Sequence, residues 1–291
     1  MKSSTIKHRL PYHYLLCSIA SMLAAAPAYS AVVINEPFNY TTGPLGTQAA
    51  TGAGLTGAWG NAYNGTVSGS SAADIIDTFT YSTPIGYAPA PSGNQYFGTG
   101  GDTSFAKTVG SIDTGTNSTT YFSFIFQLGT LGTSSGSFAQ VGLSTIDPST
   151  NKFLAVGKVT SGSSNFGLQL NNVSGIGTVP ISINTPYLVV GKVVPDSVAN
   201  DVLTASIYTS ASTLPTSDPA TWDATVSTAT TFTLDALRIA QGGNITDMKV
   251  DQIRFGDTLS AVTVPEPSVA LSLVGGVGIL LGFRRSRCAG V

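Results

Sequence analysis

Two acidic pairs stand close enough in the chain to suggest shared chemistry, Asp74 with Asp77 and Asp247 with Asp251. Hydrolysis of a glycosidic bond needs two opposed carboxyl groups about 5–10 Å apart, one protonating the leaving oxygen while the other attacks or activates water. Residues three apart on a regular strand point to opposite faces, so Asp74 and Asp77 make no such pair. Asp247 and Asp251 can share a face, but Lys249 and Arg254 stand beside them, and surface ion pairing is their expected use. The only glutamate between residues 31 and 264 is Glu36, which precedes Pro37 and has no acidic neighbour in sequence. Both histidines (His8, His13) and both cysteines (Cys17, Cys288) lie near the chain ends. Residues 31–264 therefore hold no imidazole and no thiol. Serine–histidine and cysteine–histidine catalysis lack their base, and zinc or copper sites built on His or thiolate lack their ligands. These residues predict no enzyme.

Binding without catalysis is better served. Trp59, Tyr63, Tyr87 and Tyr96 lie in or near Gly- and Pro-rich stretches beside Asn61, Asn64 and Asn94, the residue types that line saccharide sites. Trp59, Tyr63 and Tyr96 are the candidate glycan contacts. The competing expectation is that Trp59 and Tyr96 pack into a core, as large aromatics usually do. Asp102 and Asp147 are weak calcium candidates. The same residues make Asx turns that need no metal, which is the favoured reading, and no EF-hand spacing occurs. No cofactor is expected.

The elements that must position these residues are strands. From residue 31 onward the chain is rich in Gly, Ser, Thr and Asn, with short apolar alternations between turn signals. Thr119 to Leu128 is the clearest: Phe122, Phe124, Phe126 and Leu128 fall on one face, Tyr121, Ser123, Ile125 and Gln127 on the other. Further strands are expected at Val32 to Asn35, Ile75 to Tyr81, Asn94 to Gly98 and Thr103 to Val109. A Gly-rich loop is expected from Thr41 to Gly60. Phe138 to Thr145, Lys152 to Thr160, Asn165 to Asn171 and Val202 to Thr209 follow. Pro186 to Val194 is nearly continuous in apolar residues, as suits a strand covered on both faces. In Thr231 to Ala240, Phe232 and Leu234 share one parity and Leu237 and Ile239 the other, which predicts a bulge. Asp247 to Phe255 closes the series. Short strands with turns every 8–15 residues predict an all-β chain, an antiparallel β-sandwich. No fixed-period repeat points to a solenoid or propeller.

Both ends read as address labels. Lys2, Lys7 and Arg9 precede an apolar stretch from Leu15 to Ala26, and Ala28 and Ser30 are the small residues before a cut at Ala31. This predicts a secretory signal peptide over residues 1–30. With no thiol left, the secreted fold must rest on its core without disulfides. Residues 31–264 carry seven Lys and Arg against fourteen Asp and Glu, a net charge of about −7, so nucleic acid finds no basic face. At the other end Pro265-Glu266-Pro267 is followed by fifteen uncharged residues, Val269 to Phe283, and then by Arg284, Arg285 and Arg287. As a helix the run spans roughly 23 Å, enough for a thinned bilayer with snorkelling arginines. The arginines act as the stop to translocation, and the positive-inside rule puts the tail in the cytoplasm and the rest outside.

The order Pro-Glu-Pro, apolar helix, arginine cluster resembles the PEP-CTERM sorting signal of bacterial surface proteins, whose processing enzyme is an exosortase. That resemblance implies delivery to the cell surface or beyond, with the anchor as a transient or durable hold. Asn-Glu-Pro-Phe-Asn-Tyr (35–40), Gly-Ala-Trp (57–59), the Tyr187-to-Lys192 strand and Val250-Asp-Gln-Ile-Arg-Phe-Gly256 together resemble concanavalin A-like (laminin-G-like) jelly rolls. The expected layout is a signal peptide (1–30), a sandwich (31–256), a connector (257–264), the sorting signal (265–287) and a tail (288–291). The expected role is structural or adhesive, within the cell envelope or an exopolysaccharide matrix. The alternative is a carbohydrate-binding, lectin-like module, with extracellular polysaccharide as partner. A glycoside hydrolase comes third, since jelly-roll glucanases carry their acids on one strand as Glu-x-Asp-x-(x)-Glu and this chain has no such run.

Overall fold

The computed structural model describes residues 32–263, apart from stretches at 64–65, 69–73, 79–81, 83–86, 88–93, 99–102, 114–117, 147–151, 197–198 and 230–232. The expected signal-peptide cut (Ala28, Ser30, Ala31), the sorting motif Pro265-Glu266-Pro267, the apolar run and Arg284, Arg285 and Arg287 lie outside the described residues. So do Asp102 and Asp147. Among the described residues no helix is long and apolar enough to cross a membrane.

The strands in chain order are β1 (Val32–Glu36), β2 (Gly43–Pro44), β3 (Leu55–Tyr63), β4 (Thr66–Ser68), β5 (Asp74–Thr78) and β6 (Asn94–Gly98). Then come β7 (Thr103–Asp113), β8 (Thr120–Leu128), β9 (Phe138–Ser144), β10 (Phe153–Lys158), β11 (Asn165–Leu170) and β12 (Val173–Pro180). The last are β13 (Tyr187–Val194), β14 (Asp201–Tyr208), β15 (Ala224–Thr228), β16 (Thr233–Gly242) and β17 (Met248–Gly256), followed by a short helix α1 (Leu259–Thr263). They form two antiparallel sheets. One runs β15-β14-β13-β8-β17-β6-β5-β2, with β1 beside the second half of β17; the other runs β12-β11-β10-β9-β16-β7-β3-β4. The chain is an all-β antiparallel sandwich of two sheets.

Alternation explains which faces meet. Phe122, Phe124, Phe126 and Leu128 of β8 point inward, as their spacing predicts, and meet Val141 and Leu143 of β9, Leu154 and Val156 of β10 and Phe166 of β11. Each ring buried here contributes about 1.5–3 kcal/mol of transfer free energy. The inner residues of β14, Leu203 and Ala205, also reach this core. In β16 the inward parity switches between Leu234 and Leu237, and the pairing with β7 slips between Leu234 and Ala236, so the irregularity expected there exists. A second slip lies in β17, where Gln252 takes φ +52° and both Val250 and Ile253 reach the core.

Pairing adds what alternation hides. The loop expected up to Gly60 gives way to β3 from Leu55, because Gly57 at φ +82° and a register slip between Thr56 and Gly60 break the apolar pattern. β12 and β15 were not expected either. β12 is an exposed, Gly- and Ser-containing edge, and β15 presents only Ala224, Val226 and Thr228 inward. Asp247, at φ +60°, precedes β17, so it does not share a strand face with Asp251. Asp251 is buried, with Oδ1 accepting the Gln252 N–H at 2.7 Å, and so does not lie at the surface as expected.

The continuous apolar run of β13 is covered on both faces. Tyr187, Val189 and Val193 enter the main core, while Leu188 and Val190 join Ile125, Tyr87 and Leu259 in a second cluster on the outer face. α1 supplies Leu259, and Ser123 Oγ fixes the helix by donating to the Val262 carbonyl at 2.5 Å. Residues 257–264, expected as a connector, thus include a helix packed on the sandwich.

Candidate functional site

Three constellations of polar and charged side chains stand out. The first surrounds Glu36, at the end of β1 and only 1% exposed. Its carboxyl accepts the Phe38 N–H at 2.7 Å and the Tyr40 O–H at 2.5 Å. The Tyr40 hydroxyl in turn accepts the Trp59 Nε1–H at 3.1 Å and the Thr51 N–H at 3.3 Å. Phe38, at φ +52°, bends the chain so that Tyr40 returns onto Glu36, and its ring lies 5.7 Å from Trp59 and 6.3 Å from Tyr96. Burial pushes the Glu36 carboxyl up to about 7, against the hydrogen bonds from Tyr40, Phe38 and Gly52 that hold it down. Trp59 and Tyr96 are 1% and 0% exposed, so neither offers a ring face to a sugar. Their expected role as glycan contacts is corrected: they are core. Tyr63 ends β3, and its side chain lies outside the described residues.

The second constellation lies on the outer face of the nine-stranded sheet. Lys192 of β13 pairs with Tyr121 of β8, and Lys192 Nζ donates to Asp218 Oδ2 at 2.5 Å. Tyr121 also donates to Asp218 Oδ2, at 3.3 Å. The ammonium stands 5.9 Å from the Tyr121 ring centroid and 5.7 Å from that of Trp222. Every strong group here already has a partner. The cluster clamps residues 209–223 across the sheet, and an ion pair this exposed adds about 0–1 kcal/mol.

The third lies on the outer face of the eight-stranded sheet, and its geometry is set by register. Arg238 of β16 stands opposite Gly142 of β9, which faces Ala155 of β10, which faces Gln169 of β11. In the next rank Ala240 faces Gln140, which faces Gly157. The floor is therefore Gly and Ala, and longer side chains lie across it. Arg238 Nη1 donates to Gln140 Oε1 at 2.8 Å, and Gln140 Nε2 donates to Gln169 Oε1 at 3.1 Å. The guanidinium carbon lies 4.8 Å from the Phe153 ring centroid. On the flanking β7, half-buried Phe105 faces Arg238, and exposed Lys107 faces Ala236. Gln140 is 3% exposed while Arg238 and Gln169 are half-buried, so this polar row is sunk yet open to solvent. Burial pulls the Arg238 guanidinium down to about 10, leaving it charged at neutral pH.

What this row can do is bind. Each amide offers both donors and acceptors, the guanidinium offers a planar fork of donors, and all sit on paired strands that fix their spacing. Sequence reading missed Arg238, Gln140, Gln169 and Phe153 as a group. The available signal was parity: Arg238 lies between inward-facing Leu237 and Ile239, and Gln169 between inward-facing Leu168 and Leu170. Among the described residues no group of three or more His, Cys, Asp or Glu could hold a metal ion.

No family model matches this chain, and no curated protein matches it. Solved structures share its outline at low identity. A lectin from Bauhinia forficata in complex with GalNAc is 11% identical, with a TM-score of 0.40 over 80% of this chain and 100% of that one. The carbohydrate recognition domain of Emp47p is 12% identical, with a TM-score of 0.36 over 65% of this chain and 96% of that one. An endo-beta-1,4-glucuronan lyase from the fungus Trichoderma reesei is 11% identical, with a TM-score of 0.33 over 81% and 94%. The fold assignment rests on the strand pairing itself.

Proposed function

We propose that the chain is a secreted, non-catalytic sandwich of the concanavalin A-like jelly-roll kind that holds a polysaccharide on the outer face of its eight-stranded sheet. The observation that carries this reading is the Arg238–Gln140–Gln169 row, hydrogen-bonded across four strands over a Gly and Ala floor and backed by Phe153. Sugar hydroxyls need donors and acceptors at fixed spacing beside an apolar surface, and this row supplies both. Asp235, on the same strand as Arg238, is engaged in accepting the Ile146 N–H at 2.8 Å, and binding without bond cleavage is the activity proposed. Holding a matrix polymer is also what an adhesive role in an envelope requires. The adhesive and carbohydrate-binding readings thereby become one.

The test is a glycan array probed with the protein as secreted, beside its Gln169→Ala variant. The reading expects at least one glycan class bound by the wild type and weakened about tenfold in the variant. A blank array, or hits indifferent to the substitution, would contradict it.

The address labels complete the proposal. The precursor enters the membrane by the run from Val269 to Phe283, Arg284, Arg285 and Arg287 halt it, and an exosortase-type enzyme cuts near Pro265-Glu266-Pro267. Flanking prolines keep Glu266 out of helix, leaving the peptide open to that enzyme. Intact mass of surface-extracted protein checks this: loss of Cys288 is expected, and its retention in a host carrying the enzyme would leave a plain anchor.

A further inference from the structure

We infer that the polymer held on the eight-stranded sheet is an acidic one, its carboxylate groups received by Arg238 with Lys107 beside it. This deepens the glycan-binding reading and rests on it. The ion pair Lys192–Asp218 lies on the opposite sheet. Lys158 spends its ammonium on the carbonyls of Thr160 and Ser163, at 2.7 and 2.8 Å. Arg254 gives a hydrogen bond to Gln252 and lies over Tyr87. Arg238 resembles Arg254 in having a neutral amide and a neutral ring as its described partners. What sets it apart is its place on the outer face of the eight-stranded sheet, with exposed Lys107 on the neighbouring strand.

A half-buried guanidinium without a counter-anion pays desolvation for no Coulombic return, and such groups normally have a paired anion. Of its five N–H donors, the Nη1 bond to Gln140 is the one placed by a described partner. Gln140 and Gln169 hold that end of the side chain in line, and Phe153 backs the guanidinium, so the fork is oriented before any ligand arrives. A planar fork suits a planar carboxylate, which it can take with two parallel hydrogen bonds. Lys107 stands one strand over, beside Ala236 and two positions along from the Phe105 that faces Arg238, so a second cation lies along the same track. The half-buried Gln169 amide, held by Gln140 through its Oε1, keeps its Nε2 to meet hydroxyls. The chain as a whole is acidic, about −7 over residues 31–264, so its overall field repels a polyanion. Attraction must be local, which makes this face selective and not merely sticky.

The experiment uses the secreted protein and two pairs of polymers: polygalacturonate with its carboxyl-reduced form, and alginate with its carboxyl-reduced form. Affinity is read by calorimetry at low and moderate salt. The native polyuronates should bind at least tenfold more tightly than their reduced forms, and added salt should weaken only the native ones. Arg238→Gln should abolish that preference, and Arg238→Lys should keep part of it. Because the decisive comparison changes the polymer and not the protein, a variant that fails to fold does not blunt it. Equal binding of native and reduced polymers would overturn the acidic class while leaving glycan binding intact. No binding of any of the four, together with a blank array, would remove both readings.

Discussion

Glu36 illustrates how one side chain can carry both a fold and a pH response. It joins β1 to the Phe38 turn and, through Tyr40, to Trp59, so a buried carboxyl ties together stretches of chain up to 23 positions apart. Its folded-state value of about 7 lies above its ordinary 4.5, so the folded protein binds this proton more tightly than the unfolded chain does. The resulting stabilisation is fully present below about pH 4.5 and is lost as pH rises through about 7. A shift of this size corresponds to roughly 3 kcal/mol, an upper figure. Thermal midpoints recorded from pH 4.5 to 8 should therefore fall for the wild type and stay nearly level for Glu36→Gln. An equal slope in both proteins would assign the response to another group. The same residues show what sequence can and cannot disclose. Asn-Glu-Pro-Phe-Asn-Tyr and Gly-Ala-Trp stand out as motifs, but their conspicuous aromatics serve packing. Arg238 reads as an ordinary outward side chain, because its partners Gln140 and Gln169 lie 98 and 69 positions away. Only strand pairing brings the three into one row.

At the scale of elements, strands with uninterrupted alternation were legible from the chain, and those broken by slips or built from small residues were not. β8 shows its inner and outer faces outright, whereas β3 hides behind Gly57 and β15 behind Ala and Thr. The two-sided cover of β13 was legible as an apolar run, but not what covers it. That cover includes α1, a five-residue helix with no amphipathic period long enough to read. Leu259 is its contact with Leu188, Val190 and Ile125. Leu259→Ala should cost about 2–3 kcal/mol, the lower part of the usual range, because Leu259 sits at the margin of the cluster. Urea unfolding reads it: an unchanged midpoint would mean that α1 does not cover this face in solution.

For the whole molecule, a sandwich without thiols between residues 31 and 264 must hold together by its core and its paired strands. Its thermal midpoint should be the same with and without reductant. It should also move little on adding EDTA, since a resident metal would contribute stability that chelation removes. A fall of several degrees with EDTA would point first to Asp102 and Asp147. At this scale the chain is acidic overall, and the proposed ligand face departs from that by carrying Lys107 and Arg238 on neighbouring strands.

Whether the eight-stranded sheet binds a glycan is the central question, and hydrogen–deuterium exchange of the purified protein, with alginate and with laminarin as separate probes, answers it most directly. Binding on the eight-stranded sheet should slow exchange in β9, β10, β11 and β16 with whichever probe binds, and leave residues 209–223 on the opposite sheet unchanged. Protection confined to residues 209–223, or no protection with either probe, would contradict the account.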